Sequence, residues 1–536
     1  MMHRRSATCE PAADRLPAMP INTPDWVPDA VFYQVFPDRF AASARVPKPG
    51  PLEPWDAPPT VHGFKGGDLA GITEHLRYLA DLGVNALYLT PIFMSASNHR
   101  YHTYDYMAVD PLLGGDGALR ELIDAAHARN MRVVLDGVFN HTGRGFWAFH
   151  HVLENGAGSP YRDWFHFSPA ALDAKRPFRP YPWPTDADDV PDEPSLSATE
   201  GWTGDESFRR LGYRAWWGLP ALPKLNTANP AVREHLMGVA EHWLRFGIDG
   251  WRLDVPAEIS DEGFWQEFRH RCRAVNPEAY LVGEIWHEAP EWLAGDRFDA
   301  LMNYPLAEAI LGYVAQGHLD ERAVRAHHEY GAAVRRRDGA AFAHELERLV
   351  ALYDPAVTFA QLNLLGSHDS PRFRTMAGSD RASYHLAVLL QATLPGAPCV
   401  YYGDEVGMEG GNDPDCRRAF PWDPGAWDLG GVAWTGTALA ARAALPALRR
   451  GDLRIAGAAA DAVAFVRGAA AGGEPVLVAV NAGEEAVELA VQAADLAGRT
   501  LTEVELAVPA GGPVVIAADG TGSVHLAPRH GRILHP

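Results

Sequence analysis

The sequence predicts an α/β fold: a (β/α)8 TIM barrel with a subdomain inserted after its third strand and an antiparallel β domain at its C-terminal end. Three observations carry that expectation. Short apolar runs alternate with longer amphipathic ones as far as Arg450, as repeated βα units do. Four of the apolar runs end in acids and histidines: DGVFNH (136–141), GWRLDV (250–255), GEIW (283–286) and GSHDS (366–370). Buried charge is costly unless paired or used, so a row of such residues at strand tips marks the catalytic end of a barrel. After Gly451 the pattern changes to short alternating strands punctuated by Gly and Ala.

The barrel strands are expected at 31–36, 85–90, 132–139, 248–255, 279–285, 298–302, 361–365 and 398–402. Helical periodicity places the intervening helices at 69–82, 118–130, 230–246 and 261–275, as a pair within 305–352, and at 382–394, with a closing helix at 437–449. Residues 142–226, between the third and fourth strands, are far too long for a βα loop and are rich in Trp, Pro and acids (RPYPWPTDADDVPDEP). They read as an inserted subdomain B, or lid, on the catalytic face. The domains are therefore a flexible Pro/Ala-rich segment at 1–25, a barrel built from 26–141 and 227–450, the insert at 142–226 and a β domain at 451–536. In the last, DAVAFVRG, PVLVAVNA, AVELAV, PVVIAA and GSVHLA read as strands.

Composition narrows the function classes. The chain has 536 residues, 47% of them hydrophobic, enough for a large core and smaller accessory domains. A net charge of −21 argues against nucleic acid or an anionic membrane as the main partner. No apolar run reaches the about 18 residues that a membrane-spanning helix needs. The cysteines Cys9, Cys272, Cys399 and Cys416 show no CxxC and no metal-ligand spacing, which fits a reducing compartment. The basic N-terminus lacks an apolar segment behind it, so no secretion signal is expected and the expected location is cytoplasmic. The 16 Trp and 17 Tyr offer flat faces of the kind that pack on sugars, although most serve the core.

Glycosidic cleavage with retained configuration needs two carboxyl groups about 5 Å apart, one ionised and one protonated. Asp254 and Glu284 end the fourth and fifth strands, and paired strands lie about 4.8 Å apart. Asp369, after the seventh strand, adds a third carboxylate. Arg252 precedes Asp254 by two residues and shares its side of the strand, where it is expected to keep Asp254 ionised and aimed. Taken singly, an RxD is a common structural ion pair and an HD fits a helix N-cap equally well. In order at successive strand tips, the four segments read as one site.

On these segments the chain resembles the α-amylase superfamily, glycoside hydrolase family thirteen. The stretches GGDLAGITEHLRYLADLGVNALYLTPIF (66–93), SNHRYHTYDY (97–106), FWAFHHVLENGAGSPYRDWFHF (146–167), LPKLN (222–226) and YYGDEVGMEGGNDPDCRR (401–418) resemble the cyclomaltodextrinase, neopullulanase and maltogenic amylase group. The resemblance implies a retaining hydrolase of α-1,4-glucosidic bonds in maltodextrins, with cyclodextrins and pullulan as further substrates, acting through a covalent glycosyl-aspartate. It implies Asp254 as nucleophile, Glu284 as acid and base, and Asp369 as stabiliser of the transition state. Arg252, His141 and His368 would bind the sugar at the cleaved bond and Tyr101 would stack beneath it. His99, Asp105, Asp136 and Asn140 would support them.

Departures from that group shape further expectations. Its members usually begin with an additional β domain that builds a dimer; here the first barrel strand starts near Val31, so that domain is expected to be absent, with monomer or dimer left open. No cofactor is expected to be required. Relatives often bind calcium in the loop after FPDRF, but here AASARVPKPG offers almost no carboxylate to a hard cation, so no metal is expected there. His102 and Ala257 stand where relatives often carry Asp and Asn. The partner is an α-glucan oligosaccharide, with no nucleic acid and no membrane. Two rival readings stay open: an exo-acting α-glucosidase or α-glucan transglycosylase, and a non-catalytic carbohydrate-binding protein on an amylase scaffold, which the presence of all three carboxylates disfavours.

Overall fold

A computed structural model describes residues 21–173, 178–181, 204–470, 473–504 and 511–536. Cys9, most of the N-terminal segment and the acidic part of the 179–194 motif lie outside the described residues.

Eight parallel strands form the barrel: β1 (Phe32–Val35), β2 (Ala86–Leu89), β3 (Arg132–Gly137), β4 (Gly250–Leu253), β5 (Tyr280–Gly283), β6 (Ala300–Leu301), β7 (Leu362–Leu364) and β8 (Ala397–Tyr401). Their spatial order is β6-β5-β4-β3-β2-β1-β8-β7, and a parallel bridge between Met302 and Leu362 joins the two ends. Every strand residue is buried except Arg132, as strands covered on both faces by a ring of helices must be. The register sets the site. Leu253 pairs with Gly283, so the chain leaves β4 and β5 side by side at Asp254 and Glu284. Asp136 pairs with Arg252 across β3 and β4.

The helices depart from expectation where a local signal interrupts the apolar period. The stretch expected as one helix at 69–82 is two, Leu69–Glu74 and Leu76–Leu82. They divide at His75, whose Nδ1 bonds the Gly71 carbonyl. The pair expected within 305–352 is four helices, Tyr304–Val314, Glu321–Ala326, His328–Ala333 and Gly339–Ala351, because the side chains of Asp320, His327 and Asp338 each cap a new N-terminus. The closing helix runs Leu429–Ala444 and restarts as Pro446–Arg450. Pro446 has no N–H to continue the ladder but suits the first turn of a new helix.

Between β3 and β4 the chain leaves the barrel through helix Trp147–Asn155 and comes back along an irregular ladder, with bridges Phe167 to Tyr213, Ala215 to Pro223, Phe165 to Leu225 and His141 to Lys224. The last of these ties the returning segment to the tip of β3.

Among its described residues the C-terminal domain has eight strands rather than the five expected: β9 (Leu453–Ala459), β10 (Ala462–Arg467), β11 (Val476–Asn481), β12 (Val487–Gln492), β13 (Thr500–Glu503), β14 (Val514–Val515), β15 (Thr521–Leu526) and β16 (His530–His535). A sheet ordered β9-β10-β11-β16-β13-β14 and the pair β12-β15 enclose a second apolar core that includes Leu477, Leu489, Val524 and Leu534. β16 escaped the pattern because Arg532 sits buried within it, satisfied by Glu503 at 2.9 Å. The domain is fastened to the barrel's outer helices: the Gly339 N–H donates to the Ala460 carbonyl (2.7 Å) and the Tyr313 hydroxyl to that of Val480 (3.0 Å). Among the described residues no helix is long and apolar enough to cross a membrane.

Candidate active site

Strands β3, β4 and β5 deliver three carboxylates to one buried guanidinium. Arg252 Nη1 donates to both oxygens of Asp136, each at 3.0 Å, and reaches Asp254 Oδ1 at 3.2 Å. Its Nη2 lies 2.8 Å from Glu284 Oε1. Asp136 also accepts from the hydroxyls of Tyr88 (2.7 Å) and Tyr101 (2.9 Å). Glu284 Oε2 accepts from the Val255 N–H at 3.1 Å. That N–H is offered by a left-handed turn, Val255 having φ 35°. A β-branched residue there costs on the order of 1–3 kcal/mol, strain of the kind stored where function requires it.

Arg252 therefore does not serve Asp254 alone, although its charge pulls the Asp254 carboxyl toward the ionised form, in the direction expected. Burial and the neighbouring Glu284 push Asp254 well above the usual aspartate range, against the pull of Arg252. Burial raises Glu284 as well, again opposed by Arg252. With Asp136 also raised by burial, three carboxyls surround one cation, so their protons bind to the cluster as a whole and not to each residue independently. Asp254 Oδ2 is buried with no protein partner among the described residues. A buried oxygen left unsatisfied by the protein is open to a ligand or a water.

Across the mouth, His368 and Asp369 follow β7. Gln34 on β1 donates through Nε2 to His368 Nδ1 (2.8 Å), which leaves the ring proton on Nε2, facing the Tyr101 hydroxyl (2.6 Å) and Asp369 Oδ2 (3.1 Å). Burial holds His368 neutral, its pKa pushed down to about 3. The Tyr101 ring lies parallel to this imidazole, 5.4 Å between centroids. Asp369 Oδ1 takes Arg417 Nη2 at 3.1 Å, and Arg417 Nε donates to the His368 carbonyl at 2.7 Å. Burial works against an ionised Asp369, yet the contacts of His368 and Arg417 prevail and hold its carboxyl below the ordinary value.

His141 lies flat against Trp216, centroids 4.9 Å apart and planes 8° from parallel, and its Nε2 is buried without a protein partner among the described residues. Burial pushes its pKa down to about 3, so it too is neutral. Asn140 accepts the Leu225 N–H through its carbonyl (3.0 Å), fixing the insert's return. His99 accepts the Tyr101 N–H at 3.2 Å and meets His102 edge-on at 4.8 Å. Asp105 stands apart: its carboxylate accepts the Met107 N–H at 2.8 Å within its own ribbon.

Gln34, Tyr88 and Arg417 are contributors that the sequence reading did not single out. Gln34 and Tyr88 had a usable signal, a polar group in the middle of an otherwise apolar strand (FYQV, ALYL). Arg417 had none beyond its motif, because its partner lies 48 residues away. Replacing it is informative: Arg417→Gln removes the permanent positive charge on Asp369, so that carboxyl titrates higher. Activity that needs Asp369 ionised is lost as pH falls through its pKa. The acid limb of kcat/KM is therefore expected to move to higher pH, and a limb that stays in place would count against this role.

The family described as Alpha amylase, catalytic domain, matches residues 34–435. The chain belongs to the α-amylase family. It is a glycoside hydrolase. Among its relatives is a cyclomaltodextrinase of Geobacillus thermopakistaniensis, 42% identical over 462 residues that cover 86% of this chain and 70% of that protein. Neopullulanase 2 of Thermoactinomyces vulgaris is 41% identical over 450 residues, 83% of this chain and 68% of that one. The fold is similar to that of the Nostoc punctiforme debranching enzyme, with TM-score 0.82, 43% identity and coverage of 97% of this chain and 100% of that chain. It is also similar to the cyclic α-maltosyl-(1→6)-maltose hydrolase of Arthrobacter globiformis, with TM-score 0.78, 37% identity and coverage of 96% and 100%.

Proposed function

We propose that this enzyme hydrolyses α-1,4-glucosidic bonds of maltodextrins with retention of configuration, with cyclodextrins and pullulan as further substrates. The observation that supports this best is the pairing of Asp254 and Glu284 at the ends of neighbouring strands, both held by Arg252. Asp254 attacks the anomeric carbon through its unpartnered Oδ2 while Glu284, whose pKa burial raises against the pull of Arg252, gives its proton to the leaving oxygen. Glu284 then takes a proton from water, which attacks the same carbon and releases Asp254. Two inversions restore the α-configuration. Asp369, kept ionised by Arg417, faces the positive charge that develops on the sugar ring. The neutral imidazoles of His141 and His368 and the guanidinium of Arg252 hold sugar hydroxyls, and the Tyr101 ring packs on the sugar. Asp136, Asn140 and His99 position these groups, while Asp105 shapes its loop.

This reading includes no calcium. The carboxylates near the loop after Phe40 are committed to protein donors. Asp68 accepts the N–H groups of Gly71 (2.7 Å) and Ser43 (3.0 Å) and pairs with Lys48 Nζ at 3.0 Å, whose ammonium also reaches the Leu112 carbonyl at 2.7 Å. Such a set fits an ammonium rather than a divalent ion. Among the described residues no group of three or more His, Cys, Asp or Glu is arranged to hold a metal. A cytoplasmic location is in keeping with the free, buried Cys272, Cys399 and Cys416 and with a relative named intracellular maltogenic amylase in Bacillus subtilis, 38% identical over 404 residues.

Two of the similar structures are named for debranching and for a (1→6)-linked substrate, so α-1,6 bonds belong in the test. Maltotriose, soluble starch, γ-cyclodextrin and pullulan are each incubated with the enzyme, with and without EDTA, and the products are identified over time. Maltose from starch and γ-cyclodextrin and panose from pullulan, unchanged by EDTA, are expected. Glucose as the sole early product from longer chains would replace this reading by an exo-acting one. Products longer than the substrate would make the enzyme a transglycosylase.

A further inference from the structure

Trp217 is the one aromatic residue with a left-handed backbone among the described residues, at φ 51° and ψ 19°. A side chain of this size rarely adopts that conformation, and it persists only where the surroundings impose it. Here the turn is fastened at both ends. The Trp216 N–H donates to Leu222 O (2.9 Å), the Gly218 N–H to Ala215 O (3.1 Å) and the Leu219 N–H to Trp216 O (3.0 Å). The Tyr213 hydroxyl donates to the Pro220 carbonyl across the same loop (2.7 Å).

What this backbone delivers is a stack of three rings. Trp217 lies on Trp216 with centroids 4.6 Å apart and planes at 16°, and Trp216 lies on His141 at 4.9 Å and 8°. The stack starts at a residue of the catalytic mouth and ends on an indole that is 46% exposed. Exposure alone would argue little. Trp147 is 42% exposed too, but it stands edge-on to Tyr161 and Trp164, with no stack leading to the site.

We propose that Trp217 binds a glucosyl ring of the α-glucan chain, outside the two sugars that flank the cleaved bond, and so sets a preference for longer chains. This rests on the reading of the site as an α-glucan hydrolase. The axial C–H groups of glucose give each ring an apolar face that packs on an indole. A ring already immobilised by a strained turn and a parallel neighbour loses little freedom when the sugar arrives, so most of the contact appears as affinity. The occupant is a sugar of the same chain because the stack is continuous with His141. The strain is the cost of presenting the indole face outward.

The test uses the Glu284→Gln protein, so that oligosaccharide binds without turnover, and measures affinity for maltose, maltotriose and maltohexaose by titration calorimetry. Adding Trp217→Ala is expected to weaken maltohexaose about ten-fold, equivalent to about 1.4 kcal/mol, while shifting maltose less than about two-fold. Trp217→Phe keeps a ring and is expected to retain most of the affinity. Trp217→Gly accepts the left-handed backbone without strain, so it is expected to lose affinity as Trp217→Ala does without melting earlier than its parent. Trp147→Ala is expected to leave the length dependence unchanged. An equal loss at every chain length, no loss at all, or a loss as large in Trp147→Ala would overturn the proposal. If the parent bound none of the three oligosaccharides, the α-glucan reading itself would fall, and this proposal with it.

Discussion

Glu284→Gln is expected to slow hydrolysis of maltotriose by about 10²–10⁴-fold, the range that a positioned proton donor contributes, and Asp254→Asn by at least as much. The two losses differ in kind. Without Glu284 a sugar leaving group has no proton to depart with, whereas a dinitrophenyl leaving group needs none. Glu284→Gln should therefore still form the glycosyl-enzyme from an activated aryl glycoside and release a burst of aryl product. Asp254→Asn has no nucleophile and should give no burst with either substrate. Neither change is expected to unfold the protein. Each removes one ionisable carboxyl from a cluster in which Asp136, Asp254 and Glu284 share the single cation of Arg252, so crowding of like charges can only fall. Full activity in Glu284→Gln would overturn the assignment of acid and base.

Arg252→Met is expected to cost about 3–5 kcal/mol of stability, the range for stranding one side of a buried ion pair, and to abolish activity. The guanidinium is fully buried and its two terminal nitrogens are divided among three carboxylates. A lysine places one ammonium where two diverging nitrogens are needed, so Arg252→Lys should fail almost as badly. The loss depends on pH with a definite sign. Burial already holds Asp136, Asp254 and Glu284 above their ordinary values, and removing Arg252 lifts them further. Above the unfolded carboxyl range of about 4 the folded state then binds more protons than the unfolded state, so stability falls as pH rises. Thermal melts of Arg252→Met and the parent should thus diverge most near neutral pH and draw together toward pH of about 5. A deficit that did not change with pH would mean that the arginine matters for packing and not for charge.

The barrel was legible because its signals are local. Apolar runs of strand length, each ending in a charged or histidine-bearing tip, survive without any knowledge of the fold. The proximity of Asp254 and Glu284 followed from strand adjacency alone, and the register of Leu253 with Gly283 agrees with it. What was not legible is whatever depends on partners distant in sequence. Arg252 reads as the companion of Asp254 because they are two residues apart; that it equally serves Asp136, which lies 116 residues away, appears only in three dimensions. Gln34 and His368 meet across 334 residues. Burial acts in the same hidden way, turning the protonation of Asp254 from a question about one neighbour into a property of the whole cluster. The break at Pro446 was a different kind of miss, since a proline inside a helical period is a signal that the sequence does contain.

The central claim is a double displacement through Asp254. Its most direct test is the anomeric form of the first product, followed by proton NMR during the initial minutes of γ-cyclodextrin or maltotriose cleavage, before mutarotation mixes the anomers. The α-anomer appearing first is the predicted result. The β-anomer appearing first would mean that water attacks in a single step, and Asp254 could not be the nucleophile.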